Sequence, residues 1–139
     1  MILVISDYHK KENAVLDLIN QYNPDYTLCL GDGESEEEFY KDNNIISVKG
    51  NCDHANLPLT KVIEIDSMRI LLTHGHLYNV YFDIFKLYLL AKEQNATHVL
   101  YGHTHMPIIE DYEGIIFVNP GALKDGNYAI IDNNEIILK

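Results

Sequence analysis

The chain alternates short runs of branched apolar residues with stretches whose apolar positions recur every three or four residues, the pattern of an α/β fold. Ile2–Ile5 is continuously apolar, as a strand covered on both faces must be. Ala14, Val15, Leu18, Ile19 and Tyr22 then share one helical face, and Asn23-Pro24-Asp25 ends that helix. Tyr26–Leu30 reads as a second strand. Ser35 and Glu38 have the spacing of a capping box, which predicts a short helix through Tyr40. Ile45–Val48 is a third strand, so this part of the chain reads βαβαβ. From Lys61 the rhythm changes. Val62, Ile63 and Ile65, a turn at Asp66-Ser67, and Arg69–Thr73 predict an antiparallel pair. A helix over about Val80–Gln94 follows, then strands at Val99–Tyr101, Ile108–Tyr112, Ile115–Val118, Tyr128–Ile131 and Glu135–Leu138. Two sheets packed face to face, with helices outside, accommodate both parts. No linker, repeat or low-complexity stretch interrupts the chain, and residues 1–139 read as one domain.

Composition narrows the partners. Apolar residues are 47% and charged residues 22%, ordinary values for a globular domain. Ten Lys and Arg against 21 Asp and Glu leave a net charge of −11, which repels phosphate backbones and argues against tight binding to long nucleic acid. No apolar run approaches the roughly 20 residues that span a bilayer. Met1–Ile5 is too short for a secretory signal core and has no basic flank. Cys29 and Cys52 have neither the number nor the spacing of a disulfide framework or a zinc knuckle. They read as reduced thiols, and the expected location is cytoplasmic.

The chemistry lies where strands end. Strand one runs into Asp7-Tyr8-His9, strand two into Gly31-Asp32 and strand three into Gly50-Asn51. Arg69–Thr73 ends in His74-Gly75-His76, and Val99–Tyr101 in Gly102-His103-Thr104-His105. In α/β sheets the ligand crevice lies beyond the carboxyl ends of the strands, so five strands deliver this set to one rim. Asp7 and His9, two apart in an extended segment, are expected to share a face and reach one ion. Two carboxylates, an amide oxygen and imidazoles, with no thiolate needed, suit manganese, iron, nickel, cobalt or zinc. Seven side chains exceed what one tetrahedral ion takes, so two divalent metal ions sharing a carboxylate is the economical reading. Any one fragment alone is an ordinary turn or a surface histidine; the ordered set is not.

That ordered set, Asp7-x-His9, Gly31-Asp32, Gly50-Asn51, His74-Gly75-His76 and Gly102-His103-x-His105, resembles the calcineurin-like metallophosphoesterases. Gly50-Asn51-Cys52-Asp53 and Asn119-Pro120-Gly121 resemble that family's small, single-domain phosphodiesterase branch. The resemblance implies a four-layer α/β/β/α sandwich of two mixed sheets flanked by helices. It implies one ion on Asp7, His9, Asp32 and His105 and a second on Asp32, Asn51, His74 and His103, with Asp32 bridging and manganese the expected metal. It further implies hydrolysis of small phosphodiesters by in-line attack of a metal-bridging hydroxide. The alternative is a scaffold of the retromer small-subunit type, in which such ligands are altered. Here the bridging Asp, the Asn and all four histidines are present.

Two positions depart from the family. Many relatives carry a His after Gly-Asn, placed to protonate the leaving group; here that slot is Cys52, which leaves the acid open among Cys52, His54 on the same loop, and water. Many also have an acidic residue where this chain has Ser35. Asp53 is expected either to support the ligands or to serve as a turn carboxylate. His76 is expected to cap its loop, and the lone arginine, Arg69, to lie at the far end of its strand from the site. The helix over Val80–Gln94 has little polar face, which predicts an apolar patch that meets a second copy of the chain or lines the substrate cleft.

Overall fold

A computed structural model describes residues 1–139. β1 (Ile2–Ile5), β2 (Tyr26–Cys29) and β3 (Ile45–Ser47) pair in parallel, linked by α1 (Glu12–Tyr22) and α2 (Glu37–Asp42). β4 (Thr60–Ile65) and β5 (Met68–Thr73) form the expected antiparallel pair. After α3 (Phe85–Glu93) come β6 (His98–Leu100), β7 (Ile108–Tyr112), β8 (Ile115–Asn119), β9 (Ala129–Asp132) and β10 (Glu135–Leu138). They complete two mixed sheets in the orders β10-β9-β1-β2-β3 and β4-β5-β6-β8-β7.

Three apolar cores make four layers. Ile2, Val4, Leu28 and Leu30 of the first sheet meet Ile70, Leu72, Leu100 and Val118 of the second. The alternate residues Leu3, Ile5 and Cys29 face outward onto Val15 and Leu18 of α1 and Tyr40 of α2. Leu71, Val99 and Phe117 face outward onto Leu87 and Ala91 of α3. Period-two alternation therefore commits each central strand to two apolar surroundings, which is why these strands read as unbroken apolar runs. The α/β/β/α sandwich expected from the sequence is the observed fold.

Two helix starts differ from expectation. Ser35 does not cap α2: its hydroxyl bonds the Tyr8 phenol at 2.6 Å, and the helix opens at Glu37 without a side-chain cap. The helix expected from about Val80 begins only at Phe85, where the Asp83 carboxylate accepts the Phe85 N–H at 3.0 Å. Val80 and Ile84 are buried against the second sheet from turns, so burial alone produced their helical spacing. Arg69 lies, as expected, at the opposite end of β5 from His74, bonded to Glu64 and to the Gln94 carbonyl.

Candidate metal centre

β1, β2, β3, β5 and β6 all stop just before the polar tips read from the sequence. The loop after β1 is laced to the loop after β2: Asp7 N–H donates to Gly31 O, His9 N–H to Asp32 O, and Lys10 N–H to Gly33 O, at 3.0, 3.0 and 2.8 Å. The loops approach so closely that a Cβ on Gly50 would overlap the Asp32 carboxylate, and one on Gly102 the Ser6 hydroxyl. Asp7 and His9 do not meet as neighbours in an extended strand. Both have left-handed backbone, with φ of 53° and 41°, and the chain coils to bring His9 Nε2 to 3.7 Å from Asp7 Oδ1. Asp32, His103 and His105 are left-handed too, at 57°, 68° and 62°. Such conformations cost non-glycine residues free energy and gather at functional sites.

Two groups of ligand atoms result. Those of Asp7, His9 and His105 lie within 4.8 Å of one another, as do those of Asp32, His74 and His103. His105 Nε2 is 3.1 Å from Asp7 Oδ1; His74 Nε2 is 3.1 Å from Asp32 Oδ2 and 3.8 Å from Asp7 Oδ1, so the groups are contiguous. The seventh candidate, Asn51, stands exposed on the rim with its Nδ2 3.5 Å from Cys52 Sγ. Cys52 donates its N–H to Asp32 Oδ1 at 2.8 Å, and its Sγ lies within 4.8 Å of ligand atoms of His9 and Asp32. His54 is exposed.

Asp7 is fully buried and Asp32 is 3% exposed, yet every ion-pair partner of either is a histidine; the one other side chain bonded to them is the Ser6 hydroxyl, which donates to Asp7 Oδ2. Burial pushes the Asp32 carboxyl up, but the hydrogen bond and charge of His74 and the Cys52 N–H outweigh it and hold the group at about 2. Burial pushes the His74 imidazole down, and Asp32 and Asp7 more than reverse that. Cys52 is raised by burial and then by the Asp32 carboxylate, so its thiol stays protonated at neutral pH. Buried carboxylates without lysine or arginine call for a cation, and an oxygen-and-imidazole set fits a borderline divalent metal.

Neighbouring groups hold the donors in place. Asp53, 6% exposed, accepts the N–H groups of Asp32, Glu34 and Gly50 at 2.8, 2.8 and 2.7 Å, tying the loops after β2 and β3 together. His74 Nδ1 donates to the Leu30 carbonyl at 2.7 Å, and His9 Nδ1 to Glu34 Oε2 at 2.9 Å, so both rings present Nε2 to the centre. Asn119 Nδ2 bonds Gly102 O and Thr104 Oγ1, fixing the loop that carries His103 and His105. His76 does not cap its loop, since its side chain makes no hydrogen bond: its ring lies 5.5 Å from that of His74 and 6.2 Å from that of His103, with a buried Nδ1 that has no partner. Sequence reasoning passed over Glu34, whereas Tyr81 lies in the Val80–Gln94 segment whose apolar patch is expected to meet a second copy or line the cleft. Tyr81 packs its ring 4.8 Å from that of His103 and donates its hydroxyl to the His103 carbonyl at 3.1 Å. The signal for Glu34 was its place two residues after Asp32.

The calcineurin-like phosphoesterase superfamily domain matches residues 1–134. A probable metallophosphoesterase of Methanocaldococcus jannaschii is 36% identical over 131 residues, 88% of this chain and 67% of that protein. Phosphodiesterase YfcE of Escherichia coli is 34% identical over 105 residues, which span 65% of this chain and 53% of YfcE. Vacuolar protein sorting-associated protein 29 of Schizosaccharomyces pombe is 28% identical, covering 99% of this chain and 80% of that one. Among solved structures, a predicted phosphoesterase from Streptococcus pneumoniae superposes with a TM-score of 0.84 at 34% identity, over 92% of this chain and 79% of that one. A domain match over nearly the whole length, on a sandwich whose strand tips gather these carboxylates and imidazoles, places the chain in the calcineurin-like phosphoesterase superfamily.

Proposed function

We propose that the chain is a metal-dependent phosphodiesterase acting on small phosphodiesters. The observation that carries the reading is the pair of buried carboxylates, Asp7 and Asp32, surrounded by imidazoles and by no fixed cation. Asp7, His9, Asp32 and His105 would hold one divalent ion, and Asp32, Asn51, His74 and His103 a second. When bound, such a pair supplies Lewis-acid charge and lowers the pKa of water from about 15.7 toward 7. Manganese is the metal we propose; nickel, iron, cobalt and zinc suit the same donors.

The protein's own part is placement. Glu34 and the Leu30 carbonyl fix the tautomers of His9 and His74, so both lone pairs face inward without rearrangement. Asp53 holds Asp32 and Gly50 at a constant separation, and the left-handed turns keep Asp7 and His9 on one side. Arg69 is too far away to clamp a phosphoryl group, so charge on its oxygens has to be met at the centre itself. Asn51, exposed on the rim, would orient the ester and complete the second ligand set. The leaving oxygen takes its proton from water, from His54, or from Cys52, whose raised thiol keeps its proton at neutral pH but gives it up less readily than an imidazolium would.

The test is protein stripped of metal and reloaded with each ion in turn, assayed on bis(p-nitrophenyl) phosphate and p-nitrophenyl phosphate. Two ions per chain and preference for the diester are expected. Asp32→Asn is expected to lose both ions and several orders of magnitude in rate. Two bound ions with normal turnover in that variant would refute the assignment. The similarity to the Schizosaccharomyces pombe sorting protein favours a second reading, a scaffold, which predicts a folded chain that binds no ion and turns over neither ester.

A further inference from the structure

Beside the centre, the turn Val80–Ile84, the loop between β6 and β7, and the outer side of β7 enclose an open cleft of about 380 Å³. Tyr81, Tyr101, Met106, Ile108 and Tyr112 make its walls largely apolar and aromatic. Thr104, between the candidate ligands His103 and His105, also lines it, and Tyr81 rests on the His103 ring, so cleft and centre share a wall. Tyr81 and Met106 are 69% and 68% exposed, large apolar groups held open to solvent. Their geometry is fixed from behind: Tyr112 stacks edge-on with Tyr88 and Phe117, and Thr104 accepts from Asn119 and from the Met106 N–H. Asp83 and Glu110 are the two charged groups of the lining, and none of the chain's ion pairs engages either.

We infer that this cleft seats an amine-bearing nucleobase, and so that the diesters cleaved at the adjoining centre carry a nucleoside as one ester group. The inference rests on the phosphodiesterase reading for its catalytic half and on the cleft for its binding half. A planar ring gains from aromatic and thioether walls, and every base offers a π-face to them. The volume is that of an ordinary small-molecule site and exceeds one base, leaving room for its sugar. The two carboxylates accept hydrogen bonds and disfavour a second phosphate, so they select a neutral base with exocyclic N–H donors, adenine above uracil. The phosphoryl group of that nucleoside then falls toward His103 and His105, across the shared wall.

The binding half is tested without hydrolysis, by titrating adenosine and uridine into the protein and following aromatic-ring NMR shifts. Adenosine is expected to move the Tyr81 and Tyr112 resonances and to bind at least about tenfold tighter than uridine. Met106→Ala is expected to weaken adenosine about tenfold, and Glu110→Gln to erase the preference over uridine. Adenosine that fails to bind, or binds equally well to both variants, overturns the inference. The catalytic half compares adenosine 5′-(p-nitrophenyl phosphate) with methyl p-nitrophenyl phosphate. A higher kcat/KM for the nucleoside ester, lost in Met106→Ala while the methyl ester is unaffected, supports the inference; equal values in the parent protein overturn it. If neither ester turns over while adenosine still binds in the cleft, the phosphodiesterase reading fails and the base site stands.

Discussion

Replacing Asp53 tests whether the centre is held together by loops rather than by the strands beneath it. Its Oδ2 accepts the N–H groups of Asp32 and Gly50, both buried, and its Oδ1 that of the half-buried Glu34. A hydrogen bond to a charged acceptor is worth about 1.5–3 kcal/mol, and a buried donor left alone costs about 1–3 kcal/mol. Asp53→Ala strands two buried donors and one that water can reach, so the expected loss is about 4 kcal/mol, a large part of the roughly 5–15 kcal/mol of a typical domain. Asp53→Asn keeps an oxygen toward Asp32 and Gly50 but turns an NH₂ toward the Glu34 N–H, for a loss of about 2 kcal/mol. Urea unfolding followed by circular dichroism gives both numbers, with an unchanged m-value showing that the unfolded ensemble is not altered. Divalent-ion binding should weaken in the same order, Ala more than Asn, because Asp32 and Glu34 lose their common anchor. If Asp53→Ala lies within about 1 kcal/mol of the parent, Asp53 is a turn carboxylate and the reasoning fails.

Cys29 is fully buried and burial pushes its thiol up to about 12, so a thiol reagent at pH 8 should titrate one cysteine, Cys52, in native protein and two in urea. Because the folded value is raised, Cys29 favours the native state below the unfolded thiol's pKa of about 8.5, and that contribution should fall as pH climbs toward 12, seen as a decreasing urea midpoint. Phe82, Phe85 and Leu89 are 81%, 49% and 51% exposed; if they meet a second copy, light scattering at micromolar concentration should give a dimer that Phe82→Glu dissociates, and a monomeric parent would retire the dimer. His54→Ala, on an exposed ring, is expected to change rates on alkyl and nitrophenyl diesters by less than about twofold, and selective loss of the alkyl esters would instead give His54 the proton transfer.

What the sequence made legible was whatever repeats along the chain. Ile2–Ile5 and Ile70–Leu72 are apolar without a break because core lies on both sides, and the polar tips stand out because each follows such a run. What it concealed depends on residues far apart in sequence. Ser35 had capping-box spacing, but a hydroxyl from Tyr8, 27 positions earlier, claimed it. Val80 and Ile84 follow a helical period while sitting in turns, since a sheet accepts apolar groups from either. Asp7 and His9 were placed together for a reason the backbone does not use: left-handed turns, not an extended strand, bring them to one side. The bond from Glu34 to His9 exists only because the loops after β1 and β2 are laced side by side.

Left-handed backbone at Asp7, His9, Asp32, His103 and His105 has an evolutionary consequence. Each holds a conformation that glycine adopts freely and that costs an ordinary residue about 1–3 kcal/mol when held against its preference. Selection for thermal stability alone, with neither ion nor ester present, should therefore enrich glycine or asparagine at these positions, histidines first. The same library sorted for turnover should restore the original residues at the expense of melting temperature. Stability and activity thus pull these five positions in opposite directions, and a lineage released from catalysis would be expected to lose its ligands there by drift toward a sturdier fold.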